Sequence, residues 1–203
     1  MTFVAEDRAA VEARIALGLA RGRPADAAAA ALRGYGPEIL GYLVTILRDQ
    51  HAAEDVFADF CEDLWKGLPG FRQKSSFRTW AYRIAWNAAQ MFWRDPYRRR
   101  VRRLSTSEYS QVADEVRVSS LRVDPRAAAD GLARLRETLK PDEQTLLILR
   151  IDKGLAWKEI AQVLAESDDA PPDVAALRKR FERLKDRLLR LAEKEGLLAP
   201  RRP

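Results

Sequence analysis

Between Ser75 and Asp95 the chain reads SSFRTWAYRIAWNAAQMFWRD, a run without glycine or proline. Phe77, Trp80, Ala81, Ile84, Ala85, Ala88 and Met91 recur there at the three-four spacing of one helical face, a period that cannot alternate across a sheet. The run therefore predicts a helix with a core stripe. At about 100° per residue, Tyr82, Trp86 and Trp93 fall on the opposite side with Gln90, flanked by Arg78 and Arg94. Nothing in the sequence names a partner for these rings. They meet another protein segment, a membrane or unstacked bases.

The same period recurs elsewhere and β-branched alternation is scarce, so the chain reads as all-α. A helix is expected from Glu6 to Ala20, stopping at Gly22-Arg23-Pro24. The alanine-rich run Asp26 to Leu32 is expected to break at Gly34-Tyr35-Gly36-Pro37. With Pro37 in a first turn, a further helix would run from Glu38 to Arg48 and bury Ile39, Leu40, Leu43, Ile46 and Leu47. Ala53 to Leu68 forms another, burying Val56, Phe57, Phe60 and Leu64 and ending at Pro69-Gly70. The helix of the opening run should stop before Pro96. From Leu104 to Asp130 periodicity is lost and serine, charge and small residues dominate, which reads as a linker. Four helical segments follow, at Leu132–Leu139, Asp142–Asp152, Trp157–Ala165 and Asp173–Glu195.

Charge is distributed unevenly. The net +6 is modest, but Arg72 to Arg103 holds ten basic residues against one acid, Asp95. The helix before it reads the other way, with Glu54, Asp55, Asp59, Glu62 and Asp63 against Lys66. A basic surface beside an acidic one implies two partners, one of them polyanionic.

Enzyme chemistry finds little support. His51, the only histidine, sits at a helix start, and Cys61, the only cysteine, lies in an apolar helical pattern as a small core residue. No phosphate loop, metal-ligand spacing or nucleophile elbow is present, so neither cofactor nor metal is expected. There is no targeting pattern and no apolar run long enough to span a bilayer, which points to a cytoplasmic chain without membrane insertion.

Toward the C-terminus, WKEIAQVLA and ALRKRFERLKDRL are two helices joined by a connection, the second with a basic face: the layout of a helix-turn-helix. Arg178, Lys179 and Arg180 at its start can reach phosphates and guanine edges. The connection from Glu166 to Pro172 exceeds the usual length, and its acids Glu166, Asp168 and Asp169 are expected to bulge away from DNA.

Taken together, AALRGYGPEILGYL, HAAEDVFADFCEDLW and FRQKSSFRTWAYRIAWNAAQ, followed by LKPDEQTLLILRIDKGLAWKEIAQVLA and LRKRFERLKDRLL, resemble the extracytoplasmic-function group of the sigma-70 family, the promoter-specificity subunits of bacterial RNA polymerase. The resemblance implies two small helical domains on a flexible linker: a region 2-like bundle at 25–104, a linker at 105–131 and a region 4-like helix-turn-helix at 132–199, with 1–24 as an N-terminal helical extension. It implies core RNA polymerase and promoter DNA as partners. The two-domain layout would also let an anti-sigma factor clamp the domains together.

Residue by residue, the resemblance places the minus-ten base-capturing loop at Phe71, Arg72, Ser75 and Ser76, with Asn87 on the following helix. Trp86, adjacent to Asn87, and Arg94 extend this surface, and Trp86 and Trp93 either stack on the strand or pack against the N-terminal helix. The clamp-docking acids match Asp55 and Asp59, with Ala58 where the family has a glutamine. Minus-thirty-five contacts fall on Arg178, Lys179, Glu182 and Arg183. The implied function is to direct core polymerase to promoters and stabilise the melted minus-ten strand. The alternative is a helix-turn-helix regulator that is not a polymerase subunit, which would need no acidic docking helix.

Overall fold

In the computed structural model the described residues are 7–95, 116, 135–165 and 171–198. The chain divides into two compact units, Met1–Arg122 and Val123–Pro203. Among the described residues all regular structure is helical, as the periodicity requires.

The first unit comprises α1 (Arg8–Ala20), α2 (Pro24–Leu47), α3 (Gln50–Gly67), a 3-10 turn at Leu68–Gly70 and α4 (Phe77–Arg94). Local chemistry sets their ends. Asp7 and Asp49 accept the backbone N–H groups of Ala9 and Ala52, capping α1 and α3. Gly22, at φ 64°, turns the chain out of α1, and Pro24 opens α2. Asp95 follows α4 directly, so the helix ends before Pro96 as expected.

Gly34-Tyr35-Gly36-Pro37 does not break the chain: α2 runs unbroken through it, with Pro37 inside the helix. The glycines serve packing instead. A Cβ on Gly34 would lie 2.5 Å from a methyl of Val11, and one on Gly36 would lie 2.9 Å from a methyl of Val116. α1 and the Val116 side chain thus close on α2 where it has no side chains, and the burial of Tyr35, Ile39 and Leu40 offsets the cost of a helical proline, about 3 kcal/mol. α1 belongs to this core, with Val11 and Ile15 each 1% exposed.

The rings of α4 opposite its stripe do have partners. Tyr82 is fully buried and meets Tyr42 of α2 edge-on at 5.3 Å. Trp86 is 5% exposed and meets Trp93 of its own helix at 5.7 Å. Arg78, expected on a cationic flank, is buried too. α4 is enclosed on both sides because α2 and α3 both pack against it. Met91, expected in the stripe, is 46% exposed in the last turn. Cys61 is buried, as its pattern implied.

The second unit contains α5 (Pro141–Leu147), a π-helical segment Ile148–Asp152, α6 (Trp157–Val163) and α7 (Val174–Lys194). Glu143 and Glu159 reach back to the backbone N–H groups of Lys140 and Ala156 at the starts of α5 and α6. Asp173 caps α7 through Ala175 and Ala176. Leu177, Phe181 and Leu184 form the buried stripe of α7, and Phe181 meets Trp157 of α6 edge-on at 5.4 Å. Residues 104–130 other than Val116, the arginines from Arg98 to Arg103, and Glu166, Asp168 and Asp169 lie outside the described residues.

Candidate nucleic-acid and polymerase interfaces

The loop between α3 and α4 is built around Trp80. Gly67 ends α3 without a side chain, and a Cβ there would lie 3.0 Å from the Trp80 indole. The ring therefore lies against the backbone of Gly67. Phe71, half-buried, packs on Trp80 at 5.0 Å and meets Phe77 edge-on at 5.1 Å. After Phe71 the exposed Arg72, Gln73 and Lys74 carry the turn, with Gln73 at φ 55° in the left-handed region. Ser75 and Ser76 close it. The Ser76 hydroxyl accepts the backbone N–H of Thr79 at 3.1 Å and so caps α4.

A second capping group comes from far away in sequence. The carboxylate of Glu12 in α1 accepts the backbone N–H groups of Phe77 at 3.0 Å and Arg78 at 3.1 Å. It also accepts the Tyr35 hydroxyl at 2.8 Å. With Ser76 it satisfies the N–H groups of the first turn of α4, where a negative charge is also favoured by the helix dipole. Below lies Glu38, clasped by the Arg78 guanidinium and accepting the Tyr82 hydroxyl at 2.9 Å. Burial, then the Glu38 charge, pushes the Tyr82 phenol far up; burial alone would lower Arg78, but the hydrogen bond and charge of Glu38 outweigh it and raise it. Sequence reading missed Glu12 and Glu38. Single acids in helical patterns look like solvated positions, and only their long-range partners distinguish them.

Along α4, Trp80, Arg83, Asn87, Gln90 and Arg94 recur on one strip. Asn87 and Arg94 are exposed, and Arg94 donates to Gln90 at 3.3 Å. Asn87 is seven residues beyond Trp80, about 10 Å along the axis on nearly the same face. The structure thus brings Phe71 and Asn87 to one side of the unit. Trp86 sits beside Asn87 in sequence but its ring is turned into the packing against Trp93. On α3, Asp55 is exposed and Asp59 half-exposed, one turn apart on one face.

On α7, Arg178, Lys179, Glu182 and Arg183 are all exposed. Arg178 lies over the Trp157 ring at 6.0 Å, and Arg150, whose guanidinium donates to the Leu155 carbonyl, covers the same ring at 4.9 Å. Glu182 pairs with Lys185. Arg180, expected beside Arg178 and Lys179, is paired with Asp142 of α5, and Arg187 pairs with Glu143 at 2.6 Å. These two arginines fix α7 on α5, which leaves Arg178, Lys179 and Arg183 as the outward cations at its start. Among the described residues no group of His, Cys, Asp and Glu is arranged to hold a metal, and no helix is long and apolar enough to cross a membrane.

The sequence matches the family model for sigma-70 region 2 over residues 31–104, a range that contains the Phe71 loop and all of α4. It is 30% identical over 136 residues to RNA polymerase sigma factor YlaC of Bacillus subtilis, covering 66% of this chain and 78% of that protein. It is likewise 30% identical over 136 residues to the RNA polymerase sigma-H factor of Pseudomonas aeruginosa, covering 64% of this chain and 70% of that one. With two helical units, an aromatic loop ahead of a basic helix and this kinship, the chain belongs to the sigma-70 family of RNA polymerase sigma factors, in its extracytoplasmic-function group.

Proposed function

We propose that this sigma factor directs core RNA polymerase to specific promoters and stabilises the melted minus-ten strand with the Phe71 loop and the exposed strip of α4. The observation that carries this reading is Phe71 packed against Trp80 at 5.0 Å, with Asn87 two turns beyond Trp80 on the same face. An aromatic edge-bearing loop can stack on an extruded base, and base-aromatic stacking is worth about 1–3 kcal/mol, comparable to the cost of unstacking it. Asn87 offers a donor and an acceptor to a base edge. Arg72, Ser75, Ser76 and Arg94 line the path of the strand. No covalent step is asked of the chain; polymerase makes the RNA.

In the same reading Asp55 and Asp59 dock on a basic surface of core polymerase, and Arg178, Lys179, Glu182 and Arg183 of α7 enter the major groove of the minus-thirty-five element. The work is cytoplasmic. An anti-sigma factor that covered the α4 strip and the α7 face would silence it. The acidic face of α3 favours this reading over a regulator that acts without polymerase.

The test is open-complex formation by core polymerase with the full chain on a cognate promoter. Phe71→Ala and Asn87→Ala are expected to retain polymerase binding and to lower open-complex occupancy at least about fivefold. Normal melting by both variants would sink the assignment.

A further inference from the structure

Beside the Phe71 loop, on the side facing α1, lies a cleft of about 360 Å³ lined by Glu12, Ala13, Ala16, Phe71, Gln73 and Ser75, with Ile15 and Phe77 at its base. That volume is at the lower end of the range for small-ligand sites. It exists because α1 presents alanines where larger side chains would fill the space. Its aromatic wall is the ring of Phe71, and its polar groups are the Glu12 carboxylate, the Gln73 amide and the Ser75 hydroxyl.

The carboxylate decides what fits. Glu12 Oε1 accepts from Tyr35 and from the Arg78 N–H, whereas Oε2 accepts one bond, from the Phe77 N–H. A carboxylate oxygen has two lone pairs, so Oε2 retains one acceptor position. A phosphate is repelled there, and the α4 N-terminus that would otherwise attract one is already capped. The chemistry suits a flat, uncharged ring bearing N–H donors.

We propose that Glu12 is a specificity-determining residue: the cleft receives one extruded base of the melted strand, and Glu12 Oε2 accepts its exocyclic amino group. Cytosine and adenine present that group on the edge by which flipped bases are read, and guanine presents N–H donors there as well. Thymine flanks its single N–H with two carbonyl oxygens, which face the carboxylate unfavourably. The inference rests on the reading of the Phe71 loop as a strand-capturing site, and it extends that site to a helix outside the matched region 31–104.

The experiment measures binding of the full chain with core polymerase to forked promoter DNA carrying each of the four bases in turn at every melted minus-ten position. At one position the wild type should disfavour thymine by roughly tenfold, the scale of a hydrogen bond to a charged group. Glu12→Gln keeps the size and, at the Oε1 position, the acceptor for the Arg78 N–H and the Tyr35 hydroxyl, while turning an amide NH2 toward the cleft at the expense of the Phe77 N–H bond. It should abolish that preference or shift it toward thymine, leaving the other positions unchanged. A uniform loss over all four bases, or no change, overturns the proposal and leaves Glu12 as a helix cap only. Ala16→Leu, which fills the cleft without touching the cap, should flatten the same preference; if it stays intact the proposal also falls. Phe71→Ala separates the two layers. If it weakens strand binding while Glu12→Gln acts uniformly, only the role of Glu12 is lost; if it has no effect, the loop assignment fails first.

Discussion

Arg78 and Glu38, forty residues apart, meet in the first unit as a pair whose side chains are 11% and 20% exposed. The same carboxylate accepts the Tyr82 hydroxyl, so one acid of α2 anchors two residues of α4. Removing one partner of a buried pair leaves a charge in a poor dielectric, at a cost on the order of 3 kcal/mol. Glu38→Ala should lower stability by that order in denaturant unfolding, whereas Glu38→Leu combined with Arg78→Met should cost clearly less.

The close approach of α1 to α2 gives a second expectation. Gly34→Ala places a methyl 2.5 Å from one Val11 methyl and 2.9 Å from the other. The helices must shift apart, at about 1–3 kcal/mol. Because α1 carries Glu12, amide hydrogen exchange at Phe77 and Arg78 should accelerate in this variant.

The second unit should be acid-sensitive through Glu143. Burial raises its carboxyl, but the hydrogen bond from Arg187, the Lys140 N–H and the charges of Arg187 and Arg180 together bring it below the ordinary carboxylate value. A lowered folded value means stability that is present above the unfolded value, about 4.3, and lost as pH falls through the folded one. Thermal unfolding between pH 7 and about pH 3 should show this loss, and Glu143→Gln should diminish it while lowering stability at neutral pH.

On α7, Arg178→Ala and Arg183→Ala should each weaken minus-thirty-five duplex binding. Where a residue contacts phosphate, the slope of log affinity against log salt should fall by about 0.9. Arg180→Ala should act differently, loosening the Asp142 tie and lowering thermal stability more than the salt slope.

Reversing the acidic face of α3 tests the other partner. Asp55→Lys with Asp59→Lys sets like charge against a basic docking surface, and co-elution with core polymerase should be lost without loss of helicity by circular dichroism. Retained co-elution would make that face merely solvated.

Much of this was legible along the chain. The three-four stripes located all four helices of the first unit within a few residues, except at Gly34-Tyr35-Gly36-Pro37, where glycine and proline signal a break and the helix continues. The signal was local and the cause was not: those glycines answer to Val11 and Val116, far away in sequence. Phe71 and Asn87 came from the family resemblance; helical spacing alone did not single them out. Tyr82, Trp86 and Arg78 fell on a side of α4 for which the sequence named no partner, since a helical wheel shows which residues share a side and not how many neighbours enclose it.

The sequence by itself determined the helical class, the helix ends other than the expected break at Gly34-Tyr35-Gly36-Pro37, the opposite charges of α3 and the segment after it, and the family, since all of these follow from periodicity, capping chemistry and order along the chain. Tertiary structure alone decided that Glu12 caps α4, that Glu38 holds Arg78 and Tyr82, and that Arg180 and Arg187 serve packing while Arg178 and Arg183 face outward. The reason is physical. A carboxylate or guanidinium has the same local signature whether it meets water or a partner forty residues away, and only the folded chain brings that partner within hydrogen-bond reach.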